Sequence, residues 1–198
     1  MHNYSALVTE PLKHVDLDSR QIRTLAHPLR MRLIGELRLA GPSTATRLAE
    51  RFGTNTGATS YHLRQLAEVG LVEEEAGAGR GRERIWRAAH AATNWERDNF
   101  AGDADATAAA DWLTGEFARM IAERIETWNR GVADEPAEWR AATEFSDYIL
   151  RLTPGELTEM TRELDELILR WYHRTPSAGA RNVLLYLYPI PLREDDPK

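Results

Sequence analysis

Residues 54–72, TNTGATSYHLRQLAEVGLV, decide the fold of this chain. From Thr56 to Val69 the apolar residues recur every three or four positions, which predicts an amphipathic helix with one buried stripe. That stripe consists of Leu63, Leu66 and Val69. Gly70 ends the helix, because glycine adopts the left-handed conformation without strain at a Cβ atom.

The opposite face of this predicted helix is polar along its whole length. Its side chains are short or forked donors and acceptors, which suit the edges of bases and the phosphates of DNA. They are Asn55, Thr56, Thr59, Ser60, Tyr61, His62, Arg64 and Gln65. The helix is therefore a candidate for entry into a DNA major groove.

A β-hairpin with a basic tip is predicted directly after the helix, within residues 71–89. Three glycines surround Arg80 and Arg82, and an arginine at such a tip can enter the minor groove. Trp86 on the returning strand is expected to pack on the helices. Glu73–Glu75 would place negative charge beside DNA. This charge would be no obstacle if Glu74 faced away from DNA while Glu73 and Glu75 paired with Arg84 or Arg87 across the hairpin.

Two further helices are predicted before residue 54. His27-Pro28 opens the first, since proline at the first helical position loses no hydrogen bond. Its buried stripe is Leu29, Leu33, Ile34 and Leu37. After the break at Gly41-Pro42, Ser43 or Thr44 caps a short helix that ends at Gly53. Its inward residues are Ala45, Leu48, Ala49 and Phe52. The order helix, helix, turn, helix, hairpin is that of a winged helix-turn-helix.

Three segments carry a resemblance to a known family: LAHPLRMRLIGEL at 25–37, ATRLAERFG at 45–53 and SYHLRQLAEVGLV at 60–72. With the glycine-arginine hairpin, they resemble the ArsR-type winged-helix repressors over residues 18–90. The resemblance implies a homodimeric bacterial repressor that binds a short inverted repeat of double-stranded DNA. It also implies that Ser60, Tyr61, His62 and Arg64 lie at the DNA face. The full set of expected DNA contacts is Thr56, Thr59, Ser60, Tyr61, His62, Arg64, Gln65, Arg80, Arg82 and Arg84.

The chain departs from this family where its metal sensors hold their ligands. It has no cysteine, no two of its six histidines lie three or four residues apart, and the helix predicted over 106–130 contains no histidine. A zinc or arsenic site of ordinary spacing is therefore not expected. The sequence also lacks a Ser-His-Asp order, a phosphate loop and a His-x-x-x-His motif, so neither a cofactor nor catalysis is expected.

The net charge of −6 divides unevenly along the chain. Residues 18–90 hold 12 Arg against 8 Asp and Glu, whereas residues 91–198 hold 12 Lys and Arg against 21 Asp and Glu. The basic residues 18–90 would be attracted to DNA, and the acidic residues 91–198 would limit non-specific binding to it. Ordinary surface variation is the alternative explanation. Neither a signal peptide nor a membrane-spanning run is expected, which favours the cytoplasm.

The sequence of the second half predicts a separate unit with helices and a short sheet. The predicted fold class of the chain is therefore mainly α with small β. We expect a linker over 91–105 and a helical or α+β domain over 106–192 that serves dimerisation or effector binding. A long helix from Ala106 to Arg130 has an apolar stripe that suits a partner subunit. The predicted dimer interface is Leu113, Phe117, Met120, Ile121, Ile125 and Trp128. Residues 142–153 and 183–192 are predicted as strands, although Phe145, Ile149 and Leu152 in the first segment also fit a helix. Thr153 begins the helix between the two segments in a capping box.

Two alternatives remain open. The aromatic set of the second half resembles the lining of a pocket for a small hydrophobic ligand, although aromatics at such spacing are more often core. These residues are Trp112, Trp128, Trp139, Trp171, Tyr172, Tyr186 and Tyr188. Alternatively, the winged helix could bind another protein instead of DNA.

Overall fold

The computed structural model describes residues 14–75 and 84–192. The described chain is mainly helical with two small sheets, which confirms the predicted fold class. The strands are β1 (His14–Asp16), β2 (Ser43–Thr44), β3 (Val72–Glu74), β4 (Ile85–Ala88) and β5 (Ala92–Asn94). The α-helices are α1 (Ser19–Leu25), α2 (Pro28–Leu39), α3 (Ala45–Phe52), α4 (Thr56–Glu68), α5 (Ala104–Gly131), α6 (Ala137–Ala142) and α7 (Pro154–Tyr172). Short 3₁₀ helices follow β5 at Arg97–Phe100 and α5 at Val132–Asp134.

Side-chain caps fix the first residues of helices α2, α3 and α4. The His27 imidazole accepts a hydrogen bond from the Leu29 N–H at the start of α2, and Thr44 Oγ1 accepts one from the Arg47 N–H at the start of α3. Asn55 Oδ1 accepts one from the Ala58 N–H, at 2.7 Å, at the start of α4. Gly53 ends α3 with a φ of 62°, so the turn between α3 and α4 uses the conformation that glycine tolerates.

The buried stripes of these helices meet in one hydrophobic core, with Leu33, Leu48, Leu63 and Leu66 fully enclosed. Leu71 and Val72, at the start of the hairpin, close the core beneath α4. Removal of one such leucine side chain would cost about 2–5 kcal/mol. We call the described residues from 14 to 113 that surround this core the head.

The hairpin pairs β3 with β4 in antiparallel register, and β2 joins the free edge of β4. Glu73 lies opposite Arg87, and their side chains form an ion pair at 2.8 Å. The partner of Arg84 is Glu74, at 3.6 Å, so Glu74 takes part in the cross-strand pairs. Glu74 is the last residue of β3 and Arg84 directly precedes β4, so the two side chains meet at the same end of the paired strands. The tip, with Arg80 and Arg82, lies outside the described residues.

The predicted linker over 91–105 is folded onto the head. Its residues Ala92–Asn94 form β5, which pairs in parallel with β1, and Phe100 is only 2% exposed. The first three turns of α5 then enter the core of the head through Ala106, Ala110 and Leu113. Where the chain divides into domains stays a prediction.

Beyond α5 only part of the predicted α+β unit forms in the described residues. Helix α7 begins at the expected capping box, in which Thr153 and Glu156 bond each other's backbone N–H groups. The segments 142–153 and 183–192 form no hydrogen-bonded strand among the described residues, which corrects both strand predictions. Their apolar residues suit a sheet, but no neighbouring strand in the described chain lies beside either segment to accept its backbone bonds. Within the described ranges, no helix combines the length and the apolar character that a membrane crossing requires.

Candidate nucleic-acid interface

Helix α4 is held by a buried face that is wider than the sequence analysis predicts. Leu63 and Leu66 are fully enclosed, and Thr59 is enclosed as well, at 0% exposure. Thr59 therefore cannot contact DNA in this structure, which corrects its assignment to the polar face. Its position was readable from helical spacing, because Thr59 lies four residues before Leu63 and seven before Leu66.

The outward face of α4 carries exposed polar groups near its start and middle. Thr56, Tyr61 and Arg64 are exposed, and Tyr61 keeps 52% of its surface in solvent. Ser60 is half-buried, and its carbonyl oxygen accepts a hydrogen bond from Arg64 Nε at 3.2 Å. This bond involves Nε alone, so the terminal nitrogens of the exposed Arg64 guanidinium group can still donate to an acceptor.

Gln65 and Glu68 mark the edge of that face. Gln65 is half-buried, and its Nε2 donates a hydrogen bond to the Glu68 carboxylate at 3.1 Å. The Gln65 amide would have to leave this partner before it could contact a base. The role of Gln65 in DNA binding stays a prediction.

His62 packs against α2. Its ring centroid lies 4.4 Å from that of His27, and the ring of Tyr61 meets it edge-on at 5.3 Å. Burial, together with the nearby His27 and Arg30, lowers the pKa of His62 below its usual value. Its Nδ1 is buried and has no hydrogen-bond partner among the described residues. The expected DNA contact of His62 stays a prediction, and the structure adds that its ring bridges α4 and α2.

The sequence analysis missed two residues beside this ring, His27 and Arg30. His27 caps α2, and Arg30 lies about one helical turn after it with a guanidinium group that is half-buried. Burial lowers the pKa of both side chains, and the charge of Arg30 lowers the pKa of His27 further. The His27-Pro-x-Arg30 spacing, which places both polar side chains at the start of α2, was the available signal.

In the described part of the wing, Arg84 and Arg87 are exposed and both are paired with glutamates of β3. Such exposed pairs contribute about 0–1 kcal/mol each, so a phosphate could displace the glutamate at little cost. The DNA contacts predicted for Arg80 and Arg82 concern residues outside the described ranges.

The predicted dimer stripe on α5 changes character along the helix. Leu113 is fully buried within the head, so it does not belong to a surface, which corrects its assignment. Phe117 and Met120 are partly buried against the same core, and the Phe117 ring lies 5.4 Å from that of Trp95. Ile121 and Trp128 are half-buried, and Ile125 is 37% exposed. The solvent-accessible part of the stripe therefore begins after Met120.

The aromatic set of the second half does not enclose a cavity. Trp171, Tyr172 and Tyr188 each keep more than 60% of their surface in solvent. The described residues also contain no group of three or more His, Asp or Glu side chains placed to hold a metal ion.

Comparison with known proteins supports this description of the head. Residues 25–75 match a family model described as a helix-turn-helix domain. A search of curated protein sequences finds no match to the chain.

Among solved structures, the chain is similar to a homodimeric winged helix-turn-helix DNA-binding domain from Mycobacterium bovis, a possible ArsR-family transcriptional regulator. The identity is 25%, over 47% of this chain and 77% of that one, with a TM-score of 0.32. A possible transcriptional regulator for arsenical resistance is 29% identical over 59% of this chain and 97% of its own, also with a TM-score of 0.32. A ZitR variant from Lactococcus lactis is 14% identical over 76% of this chain and 87% of its own, with a TM-score of 0.33.

The match to the family model ends within the hairpin, just after β3. Strands β3 and β4 form the wing directly after α4, in the order that the resemblance to ArsR-type regulators predicts. Residues 25–75 therefore match a helix-turn-helix domain, and strands β3 and β4 add the hairpin of the winged form.

Proposed function

We propose that the protein is a homodimeric transcriptional repressor that reads an inverted-repeat operator in double-stranded DNA with α4. The observation that carries this proposal is the division of α4 into two faces. Leu63 and Leu66 lock one face into the core, while Thr56, Tyr61 and Arg64 stand in solvent on the other. A rigidly seated helix with exposed hydrogen-bonding side chains can place them reproducibly against base edges.

Charge supports the same function. Residues 18–90 carry a net charge of +4, whereas residues 91–198 carry −9. The basic part is drawn to phosphate, and the acidic part is repelled by it, so the protein approaches DNA with the wing and α4 in front.

The second copy is proposed to bind along the chain after Met120. There Ile125 and the apolar residues of α7 are only partly covered, and Phe145, Ile149 and Ile190 are each more than 60% exposed. Exposed apolar side chains in this number suit a surface that a second copy covers. Two copies would present two α4 helices to successive turns of the major groove, about 10–10.5 base pairs apart.

Repression is achieved most simply if the bound dimer occupies a promoter, and this mode of action rests on analogy with winged-helix repressors. We propose no catalytic step and no cofactor, and we place the protein in the cytoplasm with its DNA. Binding of a small hydrophobic ligand to the second half lacks an enclosed site among the described residues.

An electrophoretic shift with the protein's own upstream DNA tests this function. Wild type should retard that fragment at lower concentration than random DNA of equal length. Arg64→Ala should weaken binding to the specific fragment by about 1–3 kcal/mol. The matched control, Arg170→Ala, removes an exposed arginine from α7 and should leave binding unchanged. Equal retardation of both fragments by wild type would refute sequence reading and favour a protein-interaction module.

A further inference from the structure

A cluster of four side chains lies where the start of α2 meets the middle of α4. His27 and His62 stack at 4.4 Å, and Tyr61 meets His62 edge-on at 5.3 Å. Arg30 lies one turn after His27 on α2, and its charge acts on both histidines. We call His27, Arg30, Tyr61 and His62 the α2–α4 cluster. Tyr61 extends it to the exposed face of α4 that we assign to DNA.

Arg30 is the unsatisfied member of this cluster. Its Nε is buried without a hydrogen-bond partner, and no carboxylate of the described residues forms an ion pair with its guanidinium group. Arg38, on the same helix, shows how a buried arginine is ordinarily satisfied. It is more deeply buried, and its Nε donates a hydrogen bond to the His90 carbonyl oxygen at 3.0 Å. A buried guanidinium nitrogen without such a partner costs stability, which an acceptor from outside the described chain would recover.

The surroundings favour a phosphate as that anion. A guanidinium group presents a planar fork of donors that matches two phosphate oxygens. His62 Nδ1 lies in the same cluster, buried and also without a partner among the described residues. Tyr61 keeps its ring half in solvent beside them. A DNA strand that passes α4 in the major groove would bring its backbone within reach of these groups.

We propose that the α2–α4 cluster is a binding site for one phosphodiester group of the DNA backbone, with Arg30 as its principal donor. This site deepens the proposed function, on which it rests, by adding a contact from α2 that fixes how α4 lies in the groove. Such contacts position the protein on the duplex and carry no sequence information. Loss of Arg30 therefore weakens binding to all sequences, in contrast to the loss of a side chain that reads bases.

The test measures DNA affinity across a series of KCl concentrations. Arg30→Gln should lower affinity for specific and random DNA by a similar factor and should reduce the salt slope by about one counterion. The matched control is Arg32→Gln, two residues along α2, where the guanidinium group stacks 4.5 Å above the Phe52 ring and is exposed. Its salt slope should equal that of wild type. An unchanged slope in Arg30→Gln, with wild type binding normally, would overturn the site but leave the proposed function intact.

Stability provides a second readout that separates binding from folding. If Arg30 were a structural residue, Arg30→Gln would lower the midpoint of thermal unfolding. If it waits for a phosphate, the substitution should leave that midpoint unchanged or raise it, because an unpaired buried cation has been removed. Arg30→Lys keeps the charge but loses the fork, and it should bind DNA less tightly than wild type. Wild-type affinity for Arg30→Lys together with a lower midpoint for Arg30→Gln would overturn the site.

A third arm identifies the source of the phosphate. DNA probes that carry one neutral methylphosphonate at successive backbone positions should reveal one position where wild type loses affinity and Arg30→Gln does not. Inorganic phosphate alone should neither raise the thermal midpoint of wild type nor compete with DNA beyond its effect on ionic strength. Competition by inorganic phosphate without any such coupled backbone position would show a site for free phosphate, and the assignment to DNA would fail.

Discussion

A polar residue on a recognition helix suggests a DNA contact, so its replacement should weaken DNA binding. For Thr59→Val we expect the opposite: DNA binding stays as in wild type, and the free energy of unfolding rises. Thr59 is fully enclosed, and its Oγ1 has no hydrogen-bond partner among the described residues. Valine replaces that hydroxyl with a methyl group of similar size and keeps the branched Cβ, so the cavity stays filled. A buried hydroxyl without a partner costs about 1–3 kcal/mol, and its removal should raise the free energy of unfolding by about 1 kcal/mol.

The assay is urea unfolding followed by circular dichroism, with the slope of the transition checked against wild type. The midpoint should rise at an unchanged slope, which indicates a change in stability alone. Thr56→Val is the matched control, because Thr56 is exposed at the start of α4. That variant should gain no stability and should weaken DNA binding, whereas Thr59→Val should bind as wild type does. A Thr59→Val protein that is less stable than wild type would refute the reasoning.

Three further predictions concern the core, the histidine pair and the dimer. Leu66→Ala removes a fully buried side chain beneath α4 and should lower the free energy of unfolding by about 2–5 kcal/mol, measured in urea; a loss below about 1 kcal/mol would contradict the assigned core. The folded state holds the pKa of His27 and His62 below 6.5, mainly through burial and also through Arg30, so it binds fewer protons than the unfolded chain. The contribution of these histidines to the free energy of unfolding should therefore be fully present above pH 6.5 and be lost as the pH decreases below it. In His62→Gln, the urea midpoint should fall less over the same pH range. An equal fall in the variant would exclude His62 as a cause. Ile125→Asp places a charge on the accessible part of the α5 stripe and should shift the mass from light scattering at micromolar concentration towards one chain, while Glu126→Asp should not; a dimer that survives Ile125→Asp would move the interface elsewhere.

Much of the head could be predicted from the sequence because local signals agree with one another there. His27-Pro28, Thr44, Asn55 and Gly53 set helix ends through contacts within four residues, and the apolar stripes of α2, α3 and α4 all face one core. Local agreement of this kind makes a fold readable without knowledge of its tertiary contacts.

The sequence analysis fell short where contacts between distant parts of the chain determine the surroundings of a residue. Thr59 looks like a DNA contact when its hydroxyl is considered, but its place in the helical period buries it. The polar, alanine-rich residues 91–105 suggest a linker, yet Phe100 and β5 anchor them to the head. Residues 183–192 form a short apolar run of the kind that buried strands have, but such a run cannot show whether a partner strand lies alongside. The α2–α4 cluster joins residues that are far apart in the sequence, so no local pattern reveals it.

The central claim is that the α4 helices of two chains together read a DNA sequence. Selection of bound fragments from a random DNA pool, at one stated salt concentration with wild type and Arg64→Ala in parallel, tests this claim most directly. Wild type should enrich an inverted repeat whose half-sites are centred about 10–10.5 base pairs, or a multiple of that spacing, apart. Arg64→Ala should enrich it less or tolerate other bases at one position of each half-site. Enrichment of no sequence by wild type, or of the same motif to the same degree by both proteins and by Thr56→Val, would contradict the assignment of α4 as the reading helix.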